Sequence, residues 1–563
     1  MRLFPFVTVL FLAMNLFGQE KYPQDQFRSP LDIPLILSGT FGELRSNHFH
    51  SGIDIKTQRR QGLPVYAIAN GTVTRIKVSL WGYGKALYVA HPNGFTSVYA
   101  HLKKFSPEIE AYIKKEQYRK KSYEIELFPE YGALAVNKDE VVAYTGNTGG
   151  SFGPHLHFEI RNSVTEMPTN PLLYGYEVRD ATDPSLVGLY GYPLSADAHV
   201  NQSASKIQLN FTKQADGSFL ADPVTASGTI GFGFNAFDRQ DMAANKNGVY
   251  SVTQKVNGKV VSAYDFETFS FGETRYINTL IDYAHYGKFR QRIQKCFKED
   301  ANKLGIYKSL YLDGKIKVLE GYDYQVELDI ADIEGNKVKV NIPVHGKSEP
   351  IKVPSKSKKT AYFLEATKPN SFDLEAAKVY FPISTFYQDF HIDLEKGTDT
   401  IKIHDKTVAA HRNFTIQFDA SHLDASEKSK SFIAHLDEKG NPSYAKTYRR
   451  DNALLTRTRT LGRYTIAQDT IAPKIQPKNF KDRQWLNNYS YLSLRISDDL
   501  SGIDTYEATL NGEWILMEYE PKTKTITYNF DDKIADQTQC LLQITVTDNV
   551  GNSSSLEQVF FRK

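Results

Sequence analysis

The histidines of this chain concentrate in one window, residues 48–159, which holds six of the 14. Three short segments carry most of them, and they read HSGID (50–54), YAHL (99–102) and GPHLHFE (153–159). Imidazole nitrogens and carboxylate oxygens are ligands of zinc, and imidazole also exchanges protons near neutral pH. These residue types therefore predict a metal-assisted reaction that includes proton transfer.

The spacing of four of these residues suggests how a metal would be held. His155 and His157 lie two residues apart in an apolar run that is typical of a strand. Alternate side chains of a β-strand share a face, so both rings would point in the same direction. His50 and Asp54 offer a nitrogen and an oxygen ligand close together. Two histidines and a carboxylate, with the fourth position left to water, form a catalytic zinc set.

The three segments, in this order, resemble the lysostaphin-type (LytM-like) zinc endopeptidases of bacterial cell walls. The family pattern is a His-x-x-x-Asp, a later Tyr-x-His-Leu and a closing Gly-Pro-His-Leu-His-Phe-Glu. The turns ANGTV (69–73) and TGNTG (145–149) are similar to the glycine turns of the family. The resemblance covers about residues 37–175, which is under a third of the chain.

The resemblance implies roles for five residues. His50, Asp54 and His157 would be the three ligands of Zn²⁺. His101 and His155 would be catalytic residues beside the metal, and would exchange protons with the zinc water and the leaving amine. Which of these two histidines is the base stays open.

Other residues of the window have two interpretations each. Glu159 either orients a metal ligand from behind or is a salt-bridged strand residue. Tyr99 either donates a hydrogen bond to the oxyanion of the reaction or packs in the core. His48 and His91 are interpreted as surface or core residues. Gly52, between two proposed ligands, would let the backbone approach the site closely.

Composition excludes some classes of function. The 68 basic and 65 acidic residues leave a net charge of +3, which is not typical of a nucleic-acid-binding protein. Cys296 and Cys540 are the two cysteines, too few for a disulfide framework, and the sequence does not show whether they pair.

Residues 1–19 are typical of a signal peptide. Arg2 precedes an uncharged apolar run that ends at Phe17 and is too short to span a bilayer comfortably. The alternative is a buried helix. No later stretch is long and apolar enough for a transmembrane span. We therefore predict an exported protein, located in the periplasm, the cell envelope or the extracellular space.

The predicted fold is mainly β: an antiparallel-sheet peptidase domain of the lysostaphin type, followed by about three β-sandwich (immunoglobulin-like) domains. Strands past Tyr174 alternate between apolar and polar residues, and an Asp-x-x-Gly-Asn turn recurs at Asp332 and Asp548. The predicted domains are a zinc endopeptidase domain (20–178), an immunoglobulin-like sandwich with a helical insertion (179–348), a β-sandwich (349–468) and an immunoglobulin-like sandwich (469–563).

Two local features stay open. A basic insertion at about residues 103–131 begins a helix at Ser106-Pro107, and its basic residues form either a solvated helix face or a lid that contacts an acidic wall polymer. The recurring Asp-x-x-Gly-Asn turns, and Asp498 with Asp499, either bind calcium or stabilise their own turns through Asx hydrogen bonds.

The sequence thus predicts an exported zinc metalloendopeptidase that hydrolyses peptide cross-links of peptidoglycan. Members of the resembled family cut glycine bridges or links involving D-alanine, and we favour the second type. The expected partners are stem or cross-link peptides of peptidoglycan and, through the C-terminal β domains, a cell-envelope protein. The alternatives are a non-catalytic or latent regulator of other wall hydrolases, and a surface glycan-binding or adhesion protein acting through residues 180–563.

Overall fold

The computed structural model describes residues 22–355, 359–532 and 537–563. The predicted signal peptide lies outside these residues. The chain is mainly β, as predicted, and its buried apolar side chains form four large hydrophobic cores. We name the corresponding segments the N-terminal unit (22–178), the second unit (179–348), the third unit (359–468) and the C-terminal unit (469–563).

The N-terminal unit is built on an antiparallel sheet with strand order β1-β2-β11-β6-β5-β4-β8, in which β12 pairs with β11 and β9 with β4. A small sheet, β3-β10-β7, completes the unit. The elements are β1 Leu37–Gly39, β2 Ile53–Lys56, β3 Pro64–Tyr66, β4 Gly71–Val78, β5 Lys85–Ala90, β6 Phe95–Ala100, β7 Lys104–Phe105, α1 Pro107–Lys120, β8 Ile125–Leu127, β9 Ala135–Val136, β10 Val141–Tyr144, β11 His155–Asn162, β12 Pro168–Thr169 and a 3₁₀ turn Pro171–Tyr174.

The register of the central strands positions the histidines. Strand β2 pairs with β11 so that Asp54 lies opposite His157. Strand β6 pairs with the other edge of β11, and Ala100 lies opposite the same histidine. His101 follows directly, in the left-handed region at φ 57°, where the strand ends. Three segments distant in sequence therefore meet at one end of the sheet.

Helix α1 is held between two units. It begins after Ser106 with Pro107 at its first position, as predicted, and buries Ile109 in the N-terminal core. On another side the ring of Tyr118 lies 5.3 Å from the ring of Trp514 in the C-terminal unit, in an edge-to-face contact. Lys115, Arg119 and Lys120 are exposed, so the helix has the solvated basic face that was one of the two predictions, while its other sides pack against both units.

The second unit contains a sheet of 13 strands. Its core includes Phe41 and Phe49 of the N-terminal unit, and the ring of Phe49 lies 5.3 Å from that of Phe269. The first two units therefore share buried surface next to His50. The strands are Ser185–Pro193, His199–Val200, Ile207–Leu209, Phe211–Lys213, Phe219–Ala221, Val224–Phe237, Ser251–Val256, Lys259–Asp265, Gln294–Lys295, Tyr307–Leu310, Ile316–Val318, Asp323–Ala331 and Lys337–Gly346, with short helical turns at Thr274–Tyr276, Ile277–Leu280, Tyr283–Phe289 and Leu312–Gly314.

The last two units each pack two main sheets over one core, with five and five strands in the third unit and four and five in the C-terminal unit. The third unit has strands Tyr362–Leu364, Asn370–Asp373, Ala377–Phe381, Phe390–Ile392, Leu394–Lys396, Thr400–Ile403, Phe414–Asp419, Ser431–Leu436, Pro442–Ala445, Thr447–Arg450, Ala453–Thr458 and Gly462–Gln468, and a helix Ala425–Lys430. The C-terminal unit has strands Lys474–Pro477, Gln484–Trp485, Tyr491–Ser497, Ile503–Leu510, Glu513–Trp514, Glu518–Glu520, Thr525–Asn529, Gln539–Asp548 and Ser553–Phe561.

The two cysteines are free and buried in different cores. Cys296 lies in the core of the second unit and Cys540 in that of the C-terminal unit, so they do not pair with each other. Within the described ranges, no helix has the length and apolar character needed to cross a membrane.

Candidate metal centre and active-site cleft

The structure brings together the three residues that the sequence predicted as metal ligands. His50 Nε2 lies 3.0 Å from Asp54 Oδ1 and 3.0 Å from His157 Nδ1. The distance from His157 Nδ1 to Asp54 Oδ1 is 2.9 Å. All three side chains are buried. Three donor atoms therefore form a small triangle at the end of strands β2 and β11.

The hydrogen bonds on the far sides of the two rings show which nitrogens carry protons. His50 Nδ1 lies 2.8 Å from Thr40 O, and a carbonyl oxygen only accepts, so Nδ1 donates and Nε2 keeps its lone pair. His157 Nε2 likewise donates to Glu159 Oε1 at 2.7 Å, which turns Nδ1 towards His50 and Asp54. The tautomers are assigned from these partners. His50 Nε2, His157 Nδ1 and Asp54 Oδ1 thus face one another, and either a proton on His157 or a cation held by the three atoms satisfies this arrangement.

The local electrostatics also favour a positive charge at the triangle. Burial alone would raise the pKa of Asp54, but His50, His155 and His157 hold that pKa well below its usual range. Burial opposes the charged form of His157, yet Asp54 and Glu159 raise its pKa to about 9. A divalent cation held by the three atoms would supply the charge that these carboxylates stabilise.

The donor set fits zinc. Zinc bonds to histidine nitrogen and carboxylate oxygen are about 2.0–2.2 Å long, so two ligand atoms of a tetrahedral site lie roughly 3.3–3.5 Å apart. The three distances here are a few tenths of an ångström shorter. Two nitrogens and one carboxylate oxygen are also the ligands of known catalytic zinc sites.

Glu159 fixes the orientation of His157 from behind. Its buried carboxylate accepts hydrogen bonds from the hydroxyls of Ser51 and Tyr83 and from Arg161 Nε at 2.6 Å. Burial would raise the pKa of Glu159, but Arg161 and His157 hold that pKa well below its usual range. The carboxylate is thus ionised, and it both forms a salt bridge with Arg161 and holds the Nε2 proton of His157, so both interpretations of Glu159 describe contacts that it makes.

The two histidines predicted as acid and base lie beside the triangle. Their ring centroids are 4.8 Å apart, and His155 Nε2 lies 3.5 Å from Asp54 Oδ1. His101 Nδ1 donates to Thr148 O at 2.8 Å, and His155 Nδ1 to Gly153 O at 2.8 Å. In both rings the proton is on Nδ1, so Nε2 is left to exchange protons with a substrate.

Two further residues contact the site and were not predicted from the sequence. Arg45 donates to Asp54 Oδ2 at 3.1 Å and to Glu43 Oε2 at 2.8 Å. The ring of Tyr83 stacks on that of His157 at a centroid distance of 5.1 Å. Neither lies in one of the three motif segments, and no local pattern marks them.

The remaining residues of the window have structural roles. Tyr99 OH accepts from Ile68 N at 3.1 Å and from Ser97 Oγ at 3.0 Å inside the core, so the interpretation of Tyr99 as an oxyanion donor is wrong. His91 is buried and His48 is exposed.

Gly52 lies where the chain passes close to strand β11. A Cβ atom at Gly52 would lie 2.2 Å from the carbonyl oxygen of Phe158, closer than any real contact. Only glycine therefore allows the loop between two donor residues to pack on this strand, as expected from the sequence.

A cleft of about 700 Å³ opens beside the triangle and is lined by Asp54 and His155. One wall is formed by residues 33–38 and another by residues 152–154, and Met242 of the second unit completes the rim. Among the residues that the structure describes, none from the basic insertion lines the cleft. The cleft is open to solvent and would accept an extended chain.

Two histidines and an aspartate converge in a mainly β domain, beside two further histidines. This arrangement is typical of the metallopeptidase class. The family description "Peptidase family M23" matches residues 48–118, and "Zu5-like domain" matches residues 361–469. The chain therefore carries a peptidase family M23 domain of the lysostaphin type.

Relatives match under a third of the chain. The DD-carboxypeptidase/endopeptidase Mpg of Neisseria meningitidis is 31% identical over 155 residues, which are 28% of this chain and 29% of the relative. An uncharacterized metalloprotease of Haemophilus influenzae is 32% identical over 123 residues, 22% of this chain and 20% of the relative. The chain thus spans under a third of the length of these relatives.

Two solved structures are similar to the same region. The catalytic domain of the prophage-encoded M23 protein EnpA from Enterococcus faecalis is 23% identical and covers 27% of this chain and 97% of its own, with a TM-score of 0.20. The catalytic domain of the antimicrobial peptidase lysostaphin from Staphylococcus simulans is 21% identical and covers 25% and 93%, with a TM-score of 0.20.

Proposed function

We propose that this protein is an exported zinc metalloendopeptidase that hydrolyses peptide cross-links of peptidoglycan. The observation that carries the proposal is the convergence of three potential ligand atoms, His50 Nε2, Asp54 Oδ1 and His157 Nδ1, within 3.0 Å of one another. These atoms would hold the metal, and the adjacent cleft would hold the peptide.

The reaction needs an activated water and a stabilised oxyanion. Zinc at this site would lower the pKa of a bound water towards about 7 and polarise the scissile carbonyl. His155 and His101 present an unprotonated Nε2 on the side of the triangle that faces them, so the pair can take a proton from the attacking water and return it to the leaving amine.

His101 is held in its neutral form, which leaves the Nε2 lone pair free but makes the ring a weak base. Burial lowers its pKa to about 3, together with the neighbouring His157 and His155. Its Nδ1 is fixed by Thr148 O, which keeps Nε2 aimed at the site. The proposal assigns proton transfer to His101 and His155 as a pair and does not say which of them is the base.

The preferred substrate is a D,D-type cross-link. The relative from Neisseria meningitidis is named as a DD-carboxypeptidase/endopeptidase, and its match to this chain includes the M23 domain. Export is supported by the signal-peptide-like sequence of residues 1–19 and by the location of peptidoglycan outside the cytoplasmic membrane. For the second and C-terminal units we propose immunoglobulin-like sandwiches that bind a cell-envelope partner. The intact set of five residues argues against a non-catalytic regulator.

The test is digestion of purified cell walls of two chemistries, one with direct D,D cross-links and one with glycine bridges. Zinc-loaded protein should release cross-linked muropeptides from the first, and chelation or His157→Ala should abolish the release. His48→Ala, at an exposed histidine outside the site, is the matched control. A zinc-loaded protein that leaves every wall intact while stimulating a wall amidase would overturn the proposal in favour of the regulator.

A further inference from the structure

A second cluster of potential ligands lies in the second unit, away from the histidines. The carboxylates of Asp180, Asp238 and Asp332 each offer an oxygen within 4.8 Å of the other two. Asp180 lies in the segment that enters the second unit, Asp238 directly follows strand Val224–Phe237, and Asp332 directly follows strand Asp323–Ala331. Three remote segments thus bring three acidic groups to one end of the sheet.

The charges of this cluster are not compensated. Asp238 and Asp332 are each only 4% exposed. In the part of the chain that the structure describes, none of the three forms a salt bridge with a lysine or arginine. Burial of like charges at this separation costs free energy unless a proton or a cation is bound.

One oxygen of Asp238 has no donor. Its Oδ1 is buried and accepts no hydrogen bond, although the carboxyl group of Asp238 also contacts the backbone N–H of Arg239 and the carboxyl group of Asp180. The other two carboxylates are better satisfied: Asn336 donates twice to Asp332, through N at 2.9 Å and Nδ2 at 2.8 Å, and Thr182 N donates to Asp180 at 3.1 Å. Burial, followed by the charges of Asp180 and Asp332, raises the pKa of Asp238 to about 7.

The C-terminal unit provides an internal comparison. Its carboxylates Asp469, Asp498 and Asp548 form the same kind of group, and each of the three accepts at least two backbone N–H bonds. Asn552 donates to Asp548 as Asn336 does to Asp332. The two groups share the Asp-x-x-Gly-Asn turn, but only in the second unit does a buried carboxylate oxygen lack a donor among the residues described.

We propose that Asp180, Asp238 and Asp332 form a binding site for a divalent cation, calcium. Three carboxylates are hard oxygen ligands, and an irregular group of loop and strand-end oxygens suits calcium better than the strict octahedron of magnesium. The cation would neutralise the buried charges and give Asp238 Oδ1 its missing partner.

The site would stabilise a loop that forms part of the active-site cleft. Gln240, two residues after Asp238, donates to Leu35 O at 2.8 Å and accepts from Leu37 N at 2.7 Å, which fixes the loop to the N-terminal unit. Met242 of the same loop lines the cleft. Calcium would therefore order the cleft rim without contacting the histidine site.

The test uses the full chain, freed of metals and reloaded with zinc, and calcium chloride as the probe. Isothermal titration calorimetry should show one calcium site. Free calcium at a hundred times its Kd should raise the Tm of the first unfolding transition by roughly 5–10 °C. Hydrogen exchange in segment 239–248 should slow on calcium addition. These readouts do not depend on wall hydrolysis, so they can succeed or fail independently of the proposed activity.

Two variants sharpen the result. Asp238→Asn should lose the calcium response, yet without calcium it should be at least as stable as wild type, because one of three repelling charges is removed. Asp498→Asn, in the comparison group, should keep the calcium response. Absence of calcium binding by the wild type, or an unchanged calcium shift in Asp238→Asn, would overturn the proposal and leave a carboxyl pair that shares a proton.

Discussion

Lys85 and Glu518 form a salt bridge of 2.9 Å that joins the N-terminal and C-terminal units across 433 positions of sequence. Burial opposes the charge of Lys85, but Glu518 raises the pKa of its ammonium group. Nearby, Lys522 Nζ lies 3.2 Å from Ser151 O, in the loop whose Ser151 hydroxyl contacts His155 at 3.2 Å. The C-terminal unit therefore supports the loop that carries a proposed catalytic histidine.

Glu518→Gln should destabilise this contact because it leaves the buried Lys85 charge without a partner. Glu518 itself is 29% exposed, so we expect about 2 kcal/mol rather than the larger values of fully buried pairs. Scanning calorimetry should show a lower first Tm. Asp499→Asn, which breaks the exposed pair with Lys474, should leave the first Tm almost unchanged, because solvent screens this pair. An equal decrease in Tm in the two variants would contradict the role of the Lys85–Glu518 pair in joining the two units.

Glu159→Gln should weaken zinc binding by about 10–100-fold, because the neutral amide no longer fixes the tautomer of His157 or increases its basicity. Competition with a chromophoric zinc chelator measures the affinity. Glu166→Gln is the matched control. Glu166 is exposed and, of the residues around Glu159, it contacts only Arg161, at 3.3 Å. An unchanged zinc affinity in Glu159→Gln would exclude the orienting role.

His101→Ala and His155→Ala should separate metal binding from proton transfer. Each should keep the zinc content of the wild type, because neither ring is a corner of the donor triangle, while kcat for wall hydrolysis falls by about 10²–10⁴-fold. Zinc content is measured by mass spectrometry and kcat by muropeptide release. Loss of zinc from His155→Ala would instead make it a ligand.

His91 should contribute to acid sensitivity. Burial lowers its pKa below 6.5, and both ring nitrogens have neutral partners, Asn70 O and Ser97 Oγ. Because the unfolded chain binds the proton more readily, stability is complete above pH 6.5 and falls as the pH drops towards the folded-state pKa, by at most about 1.4 kcal/mol per pH unit.

Thermal unfolding at pH 5 and 7.5 checks this expectation. His91→Gln should show a smaller decrease in Tm on acidification than wild type. His422→Gln, at an exposed histidine, should behave as wild type does. If acidification lowers the Tm of His91→Gln as much as that of the wild type, His91 is not a source of the acid sensitivity.

The strands that carry the site could be predicted because their signals are local. The alternation in residues 155–160 predicts that His155 and His157 share a face, and the structure places Leu156, Phe158 and Ile160 in the core behind them. The helix after Ser106 was predicted from its proline for the same reason. What packs on that helix was not predicted, because Trp514 is nearly 400 residues away in sequence and no local pattern encodes the contact.

The sequence by itself determined the chemistry of this protein: which side chains are available, at what spacing, and on which face of a strand they lie. Only the tertiary structure decided which atoms meet. Strand register places Asp54 opposite His157, and the fold of the N-terminal unit brings Glu159 to His157 and Arg45 to Asp54. Packing between units pairs Lys85 with Glu518, and the fold of the second unit brings three remote aspartates together. The reason is physical: periodicity is a property of neighbours along the chain, whereas distances between remote atoms depend on how all the strands and cores pack together.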